Sequence, residues 1–244
     1  MNIWLSVFRA DAKRILRDPF LMLIIVAPIL FGFLLRWAVP EITAIFQERF
    51  DLRFFYPLII SVFILIPAFY VGAVMALQIV EEKDEGSLLA IAVTPFPIRR
   101  YFTLRVFIYT AVSIPVIVIV HRIAGIVDLP ALTLWFVSLG ISLQVPILAL
   151  IVASLANNQI EGFAVMKGTG IFGVLPLAVF FVPDYWHLFA GILPTYWPVI
   201  AYFTAAKAGG SEVCFWLAIV VALLYQGVAV RYLFRRFERS ITGE

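Results

Sequence analysis

The side chains with the greatest chemical potential lie together in one short stretch. Glu81, Glu82, Asp84 and Glu85 stand within the run VEEKDEGSLLAIAVTPFPIRRYFTLR. Clustered carboxylates can form ion pairs with a basic partner. No histidine or cysteine stands near them to complete a transition-metal site. Contact with a partner is therefore the use that this pattern favours.

The rest of the sequence offers no catalytic or cofactor-binding pattern. It contains no GxxxxGK[ST] phosphate loop, no HExxH zinc motif and no GxSxG nucleophile turn. His121 and His187 are isolated from carboxylate clusters, and the single cysteine, Cys214, stands in an apolar run, so neither a metal site nor an intrachain disulfide is expected. The sequence predicts a protein that is not an enzyme and that binds no cofactor directly.

The elements that must position these residues are membrane helices. Hydrophobic residues make up 64% and charged residues 14% of the 244 residues, whereas soluble domains are about 45–50% apolar and about 25% charged. The apolar residues are gathered into runs of the length that crosses a bilayer as a helix. We predict an all-α, polytopic membrane protein that forms one domain over residues 1–244. Its six predicted spans are Phe20 to Val39, Phe54 to Val80, Val106 to Val120, Leu129 to Leu155, Gly162 to Val182 and Ser211 to Phe234.

Charge placement predicts how the chain sits in the membrane. Residues 1–18 form an amphipathic pattern, with Val7, Phe8 and Ile15 opposite Arg9 and Lys13, which is typical of a helix on the membrane surface. Most of the 18 Lys and Arg residues face the cytoplasm if the N-terminus does. The positive-inside rule therefore predicts a multi-pass protein of the cell membrane with both termini in the cytoplasm. The net charge of +3 is scattered at the ends of apolar runs and gives no footprint for a nucleic acid.

Residues 183–210 are apolar but do not read as a seventh span. They contain several prolines and end in a glycine pair, and a further crossing would move the basic C-terminal residues to the outside, against the positive-inside rule. We predict a re-entrant segment that dips into the outer leaflet, where protein must cover its irregular backbone. The central residues of this segment are Leu193, Pro194, Tyr196, Trp197 and Pro198.

The acidic residues belong to a predicted cytoplasmic loop, 81–105, between spans two and three. Gly86 permits a sharp change of direction, and Ser87 is placed to cap a short helix that begins with Leu88. An anionic inner leaflet repels an acidic patch, so a protein partner suits this loop better than lipid does. A plain connector lying on the bilayer is the alternative.

These features resemble the type-2 permeases of ATP-binding-cassette (ABC) transporters, and the drug-exporting members look nearest. The short loop after span four, SLANNQIEGFAVMKG, and the ILPTYWP motif of the outer segment resemble further parts of that family. The chain lacks the large extracellular domain that some relatives insert between spans one and two. In the loop after span two, the recurring family pattern of Glu, Gly-Ser, Leu, Thr-Pro and an aromatic residue corresponds to Glu82, Gly86, Ser87, Leu88, Thr94, Pro95 and Tyr101.

The resemblance implies partners and a role for the loop. A separate ATP-binding-cassette ATPase subunit would bind ATP and Mg, and a second permease chain, identical or homologous, would complete the pathway. The loop residues that would couple the two subunits are Glu82, Glu85, Gly86, Ser87, Leu88, Thr94 and Pro95.

The spans also predict the character of a cargo. They are poor in charge and the chain is rich in phenylalanine, with 23 residues, so a drug or lipid-like molecule that is hydrophobic or amphipathic is expected to be exported. Gln78 and Gln144 are candidate pathway residues because they are polar groups at membrane depth. Two alternatives stay open at this point: an ion-coupled secondary transporter, and a membrane scaffold or assembly factor with no pathway.

Overall fold

The structure is a computed structural model and describes residues 3–47, 51–88, 97–178, 187–207 and 209–242. The described residues contain no β-strand, which confirms the all-α prediction. A 3₁₀ turn, Leu52–Phe55, precedes the third helix. The α-helices of these ranges are α1 (Ile3–Arg17), α2 (Pro19–Phe46), α3 (Tyr56–Phe63), α4 (Ile66–Asp84), α5 (Ile98–Ala124), α6 (Ala131–Ser142), α7 (Gln144–Leu155), α8 (Gln159–Ala178), α9 (His187–Ala190), α10 (Tyr196–Ala206) and α11 (Glu212–Thr242).

Five helical segments of the described chain are long and apolar enough to cross a membrane. They correspond to predicted spans one, two, three, four and six. Predicted span five coincides with α8 as far as Ala178, and its remaining residues lie outside the described ranges, so its crossing stays a prediction. The five segments are Pro19–Phe46, Leu52–Asp84, Ile98–Ala124, Ala131–Leu155 and Glu212–Arg239.

The boundary between α1 and α2 follows from two adjacent residues. The Asp18 carboxylate accepts hydrogen bonds from the backbone N–H groups of Phe20, at 2.8 Å, and Leu21, at 3.3 Å, and so caps α2. Pro19 follows as the first residue of α2, where a missing N–H costs nothing. The amphipathic helix α1 therefore ends where the first span begins.

Spans two and four form the centre of the bundle. Of the apolar stretch in each span, 67% is buried in span two and 78% in span four, against 22% in span one and 28% in span six. Helices α4 and α7 pack closely because Gly72 has no side chain. A Cβ at Gly72 would lie 3.0 Å from the backbone oxygen of Val145, so a larger residue would force the helices apart.

Proline interrupts both central spans. Span two is interrupted at residues 64–65, just before Pro67, and span four at Leu143, just before Pro146. Proline lacks the N–H that would continue the helical hydrogen-bond ladder, which explains both breaks.

The predicted loop 81–105 is too long at both ends. Residues 81–84 complete α4, and residues 98–105 already belong to α5, which begins directly after Pro97. Gly86 lies in the left-handed region, with φ of 71°, as a change of direction after α4 requires. Residues 89–96, including Thr94 and Pro95, lie outside the described ranges.

The described part of the outer segment holds two helices, α9 and α10. The longer one, α10, has 11 residues, a length of about 16 Å, whereas the hydrocarbon core is about 30 Å thick. Neither helix can cross by itself. The re-entrant path stays a prediction, and Pro183 is outside the described residues.

Candidate functional site

A buried cluster of charges lies where α1, α4 and α5 meet, next to the predicted coupling loop. We call Asp11, Gln78, Glu82, Arg105 and Tyr109 the charge cluster. Arg105 donates from Nε and Nη2 to the Asp11 carboxylate at 3.0 and 3.2 Å, and from Nη1 to Glu82 Oε2 at 2.8 Å. Its Nη2 also donates to Gln78 Oε1 at 2.7 Å, which accepts from the Tyr109 hydroxyl as well. One guanidinium thus joins three helices.

The charge cluster is closed to water. Arg105 is fully buried, and Asp11 and Glu82 are only 7% and 6% exposed. Burial raises the pKa of Asp11 above its usual range, and the Arg105 guanidinium acts in the opposite direction. Buried charges of this kind are tolerated only with paired, hydrogen-bonded partners. Arg105 is therefore the residue on which the other two charges depend.

Arg14 of α1 lies close to three acids of the acidic run. It lies 3.0 Å from Glu81, 3.3 Å from Glu82 and 3.7 Å from Glu85, measured between side-chain nitrogen and oxygen atoms. Tyr101 donates a further hydrogen bond to Glu82 at 3.1 Å. Glu85 is the acid of this group with a mostly exposed side chain, at 56%. It is therefore available to a partner, whereas Glu82 is buried and cannot offer the direct contact predicted for it.

The next loop residues turn the chain back into the protein. Gly86 makes the turn, and the Ser87 hydroxyl donates to Glu85 Oε2 at 3.5 Å. Leu88 is 3% exposed and belongs to the main hydrophobic core. The predicted coupling residues that the structure describes thus divide into an exposed acid, a turn and a buried anchor.

The same end of the bundle joins α4, α7 and α8. Lys83 Nζ donates to the backbone oxygen of Ala156 at 3.0 Å and so satisfies a carbonyl at the end of α7. Glu161 N donates to Asn158 Oδ1 at 3.0 Å, and Glu161 Oε2 accepts from Asn157 N at 2.8 Å, in a reciprocal cap of α8. The short loop that the sequence singled out therefore has a structural role in the described chain.

A large apolar cavity opens among α3, α4, α7, α8 and residues 192–195. Its volume is about 1010 Å³, at the upper end of the range for drug-sized sites, about 300–1,000 Å³. Among the described residues that line it, none is charged, and the polar ones are Tyr70, Gln144, Thr169 and Thr195. Gly170 and Gly173 form part of the wall on α8. The cavity suits an apolar molecule with few polar groups.

The outer segment closes one side of this cavity. Leu193 and Pro194 line it, and the Pro194 carbonyl accepts a hydrogen bond from Gln144 Nε2 at 2.8 Å. Trp197 Nε1 donates to the Gly191 carbonyl at 3.0 Å. Tyr196 and Pro198 are buried at the start of α10. All five residues that the sequence selected thus lie in or next to one wall.

The two candidate pathway residues do not meet. Gln144 lines the cavity, whereas Gln78 is fully buried in the charge cluster. Sequence reasoning missed the pairing of Asp11 with Arg105, although Asp11 falls on the apolar side of α1 at 100° per residue, where a lone carboxylate needs a partner. It also did not single out Gln226 as the partner of Gln144. In the described residues, no group of His, Cys, Asp and Glu is placed to hold a metal ion.

Comparison with known proteins assigns the chain to a family. A family model described as fluoroquinolones export permease protein Rv2686c-like matches residues 11–234, a range that includes the charge cluster and the cavity. The chain is 30% identical to the fluoroquinolones export permease protein Rv2686c of Mycobacterium tuberculosis strain H37Rv, over 94% of this chain and 91% of that protein. The protein MT2760 of strain CDC 1551 matches to the same extent. The chain belongs to the Rv2686c-like family of export permeases.

Proposed function

We propose that the protein is the membrane-spanning subunit of an ATP-driven exporter and that it moves amphipathic, largely apolar drugs out of the cytoplasm. The observation that carries this proposal is the uncharged cavity of about 1010 Å³ between spans two and four, α8 and the outer segment. A wholly polar cargo would lose its water there without gaining partners, at several kcal/mol for each unpaired group. The relatives are named for export of fluoroquinolones, which are aromatic and amphipathic.

A separate ATPase subunit supplies the energy and binds ATP and Mg. This part of the proposal rests on the absence of a phosphate loop from the sequence and on the exposed acid beside the Gly86 turn. Glu85, Gly86 and Ser87, with Thr94 and Pro95, form the proposed contact. A second permease chain completes the pathway. The apolar stretches of α2 and α11 are weakly buried and leave surface against which that chain can pack.

Charge reversal at Glu85 tests the contact with the ATPase. Because this side chain is mostly exposed and its pair with Arg14 is long, at 3.7 Å, Glu85→Lys should change the unfolding free energy by less than about 1 kcal/mol, yet weaken co-purification of the ATPase and uncouple hydrolysis from transport. Glu212→Lys is the matched control. Glu212 is an exposed acid at the first residue of α11, whereas the other end of that helix, at Glu238, lies beside Arg99. Unchanged coupling in Glu85→Lys would return the loop to a plain connector.

The contact also fixes the orientation, since a cytoplasmic ATPase reaches the loop only if both termini are cytoplasmic. Photo-crosslinking from position 85 to the ATPase checks this. A crosslink to a protein of the outer face instead would contradict the orientation.

Buried carboxylates are the one observation that favours a proton-coupled transporter instead. Asp11 and Glu82 are both held by Arg105, however, and neither lines the cavity. Proteoliposomes containing the permease and its ATPase should therefore accumulate a fluoroquinolone with ATP and no pH gradient. A sugar or inorganic ion should not be transported. Uptake driven by a pH gradient without ATP would replace this proposal with the proton-coupled one.

A further inference from the structure

The orientation of the Gln144 amide is fixed by its neighbours. Gln226 Nε2 donates to the backbone oxygen of Gly140 at 3.0 Å, so Gln226 Oε1 is left as an acceptor. Gln144 Nε2 donates to that oxygen and to the Pro194 carbonyl, both at 2.8 Å. A carbonyl cannot donate, so turning the Gln144 amide over would set three acceptor oxygens against one another. The NH₂ group must face these partners.

The Gln144 carbonyl oxygen is consequently the unused half of the amide. It accepts no hydrogen bond from the described residues, and it is not one of the atoms that are both buried and unpaired. The residue itself is only 9% exposed and lines the apolar cavity. Oε1 is therefore an accessible acceptor in a wall that is otherwise almost entirely apolar.

We propose that Gln144 determines the specificity of the cavity, with Oε1 accepting a hydrogen bond from an N–H donor on an otherwise apolar ring compound. The assignment rests on the proposed export function, because it makes the cavity the cargo site. A protonated amine is the donor that gains most, since hydrogen bonds with a charged partner are the stronger ones. A carboxylate at the same place would be repelled by the carbonyl oxygen.

A second polar residue of the lining, Thr169, supports the same class of ligand. The Thr169 hydroxyl already donates to the Met166 carbonyl at 2.9 Å, so it too is left as an acceptor toward a ligand. The described lining residues supply no cation to pair with an anionic group. In such apolar surroundings, a ligand without a donor leaves the acceptor unpaired and therefore binds more weakly. A small number of polar atoms can discriminate between ligands in this way.

A pair of probes separates hydrogen bonding from charge. One is a fluoroquinolone with an unsubstituted piperazine, and the other is its N,N-dimethyl quaternary analogue, which has the same positive charge and no N–H. Binding of both to the full-length permease in nanodiscs should differ by about ten- to a hundredfold in favour of the N–H compound, as expected for one hydrogen bond with a charged donor.

Two variants assign the difference to one atom. Gln144→Met keeps the length of the side chain, removes the acceptor and should reduce the preference to within about twofold. Gln226→Met removes the same buried hydrogen bond between the two glutamines but leaves Gln144 held by Pro194, so it should keep the preference. Equal affinity of the wild type for the two probes still overturns the assignment if a variant fails to fold.

The outcomes distinguish this assignment from the export function. Equal affinity of the wild type for both probes, or a preference that survives in Gln144→Met, overturns the role of Gln144. A preference that depends on Gln144, found together with no ATP-driven transport, supports the binding site and rejects the exporter. ATP-driven transport without the preference supports the exporter and rejects the role of Gln144.

Discussion

Replacing Arg105 with methionine is expected to lower the unfolding free energy of the protein by about 3–5 kcal/mol, the usual cost of breaking a buried ion pair by removing one partner. The guanidinium is fully buried and is the common partner of Asp11 and Glu82. Without it, Asp11 would lose its ion pair in the interior, and Glu82 would keep only Arg14 and Tyr101 as partners. Thermal unfolding of the purified protein in nanodiscs measures the loss.

An exposed pair and a neutralised cluster provide the controls. Arg122→Met breaks the exposed pair with Asp128, which is 93% exposed, and should cost less than about 1 kcal/mol. Adding Asp11→Asn and Glu82→Gln to Arg105→Met should recover most of the lost stability, because no buried charge is then left without a partner. Equal losses in Arg105→Met and Arg122→Met would mean that the cluster does not hold α1 to the bundle.

The loss in Arg105→Met should also depend on pH. Burial already raises the pKa of Asp11, and the variant removes the guanidinium that opposes this effect. A folded-state pKa above the unfolded one means that stability falls as pH rises through it. The variant should therefore be less impaired at pH 5 than at pH 8, and an impairment that grows on acidification would contradict this account.

Filling the cavity is expected to abolish drug export while leaving the fold intact. Gly173 lines the cavity, and no described atom outside its own helix backbone lies within 4 Å of the place where its Cβ would be. Gly173→Trp should therefore occupy the cargo space without displacing neighbouring helices. ATP-driven uptake of a fluoroquinolone into proteoliposomes should fall at least tenfold, the equivalent of about 1.4 kcal/mol in binding.

Gly168→Trp is the matched control for this substitution. Gly168 lies on the same helix and is equally open, but it does not line the cavity. This variant should transport normally and have an unfolding temperature close to that of Gly173→Trp. Gly170→Phe, at a second lining position, should repeat the loss. Full transport by Gly173→Trp would place the cargo elsewhere.

The fold was largely predictable because membrane spans are encoded by length and apolarity. The helix predicted within residues 1–18 corresponds to α1, which ends just before Asp18, the cap of α2. The loop 81–105 was less predictable, since Pro97 is compatible with either a loop residue or the residue before a helix. In the structure residues 98–105 belong to α5, where Phe102 and Leu104 are buried. Such burial depends on neighbouring spans and not on the local sequence.

The site was only half predictable, because it depends on contacts between distant parts of the chain. Gln144 could be selected as a polar residue at membrane depth, but its hydrogen-bond partner Gln226 is 82 residues away. The sequence predicts a surface contact for Glu82 because its neighbours along the chain are acidic. Only the three-dimensional approach of Arg105 and Arg14 shows that it is an interior residue.

The charge cluster also constrains the order in which the protein is made. Asp11 precedes Arg105 by 94 residues, so at about 5–20 residues per second roughly 5 to 20 s pass between their syntheses. During that time the Asp11 carboxylate lacks the guanidinium that pairs with it in the folded protein. Glu82 precedes Arg105 by only 23 residues, so this pair can form soon after α4 has been synthesised. The ion pair between α1 and α5 can therefore form only after the start of the third span has been synthesised.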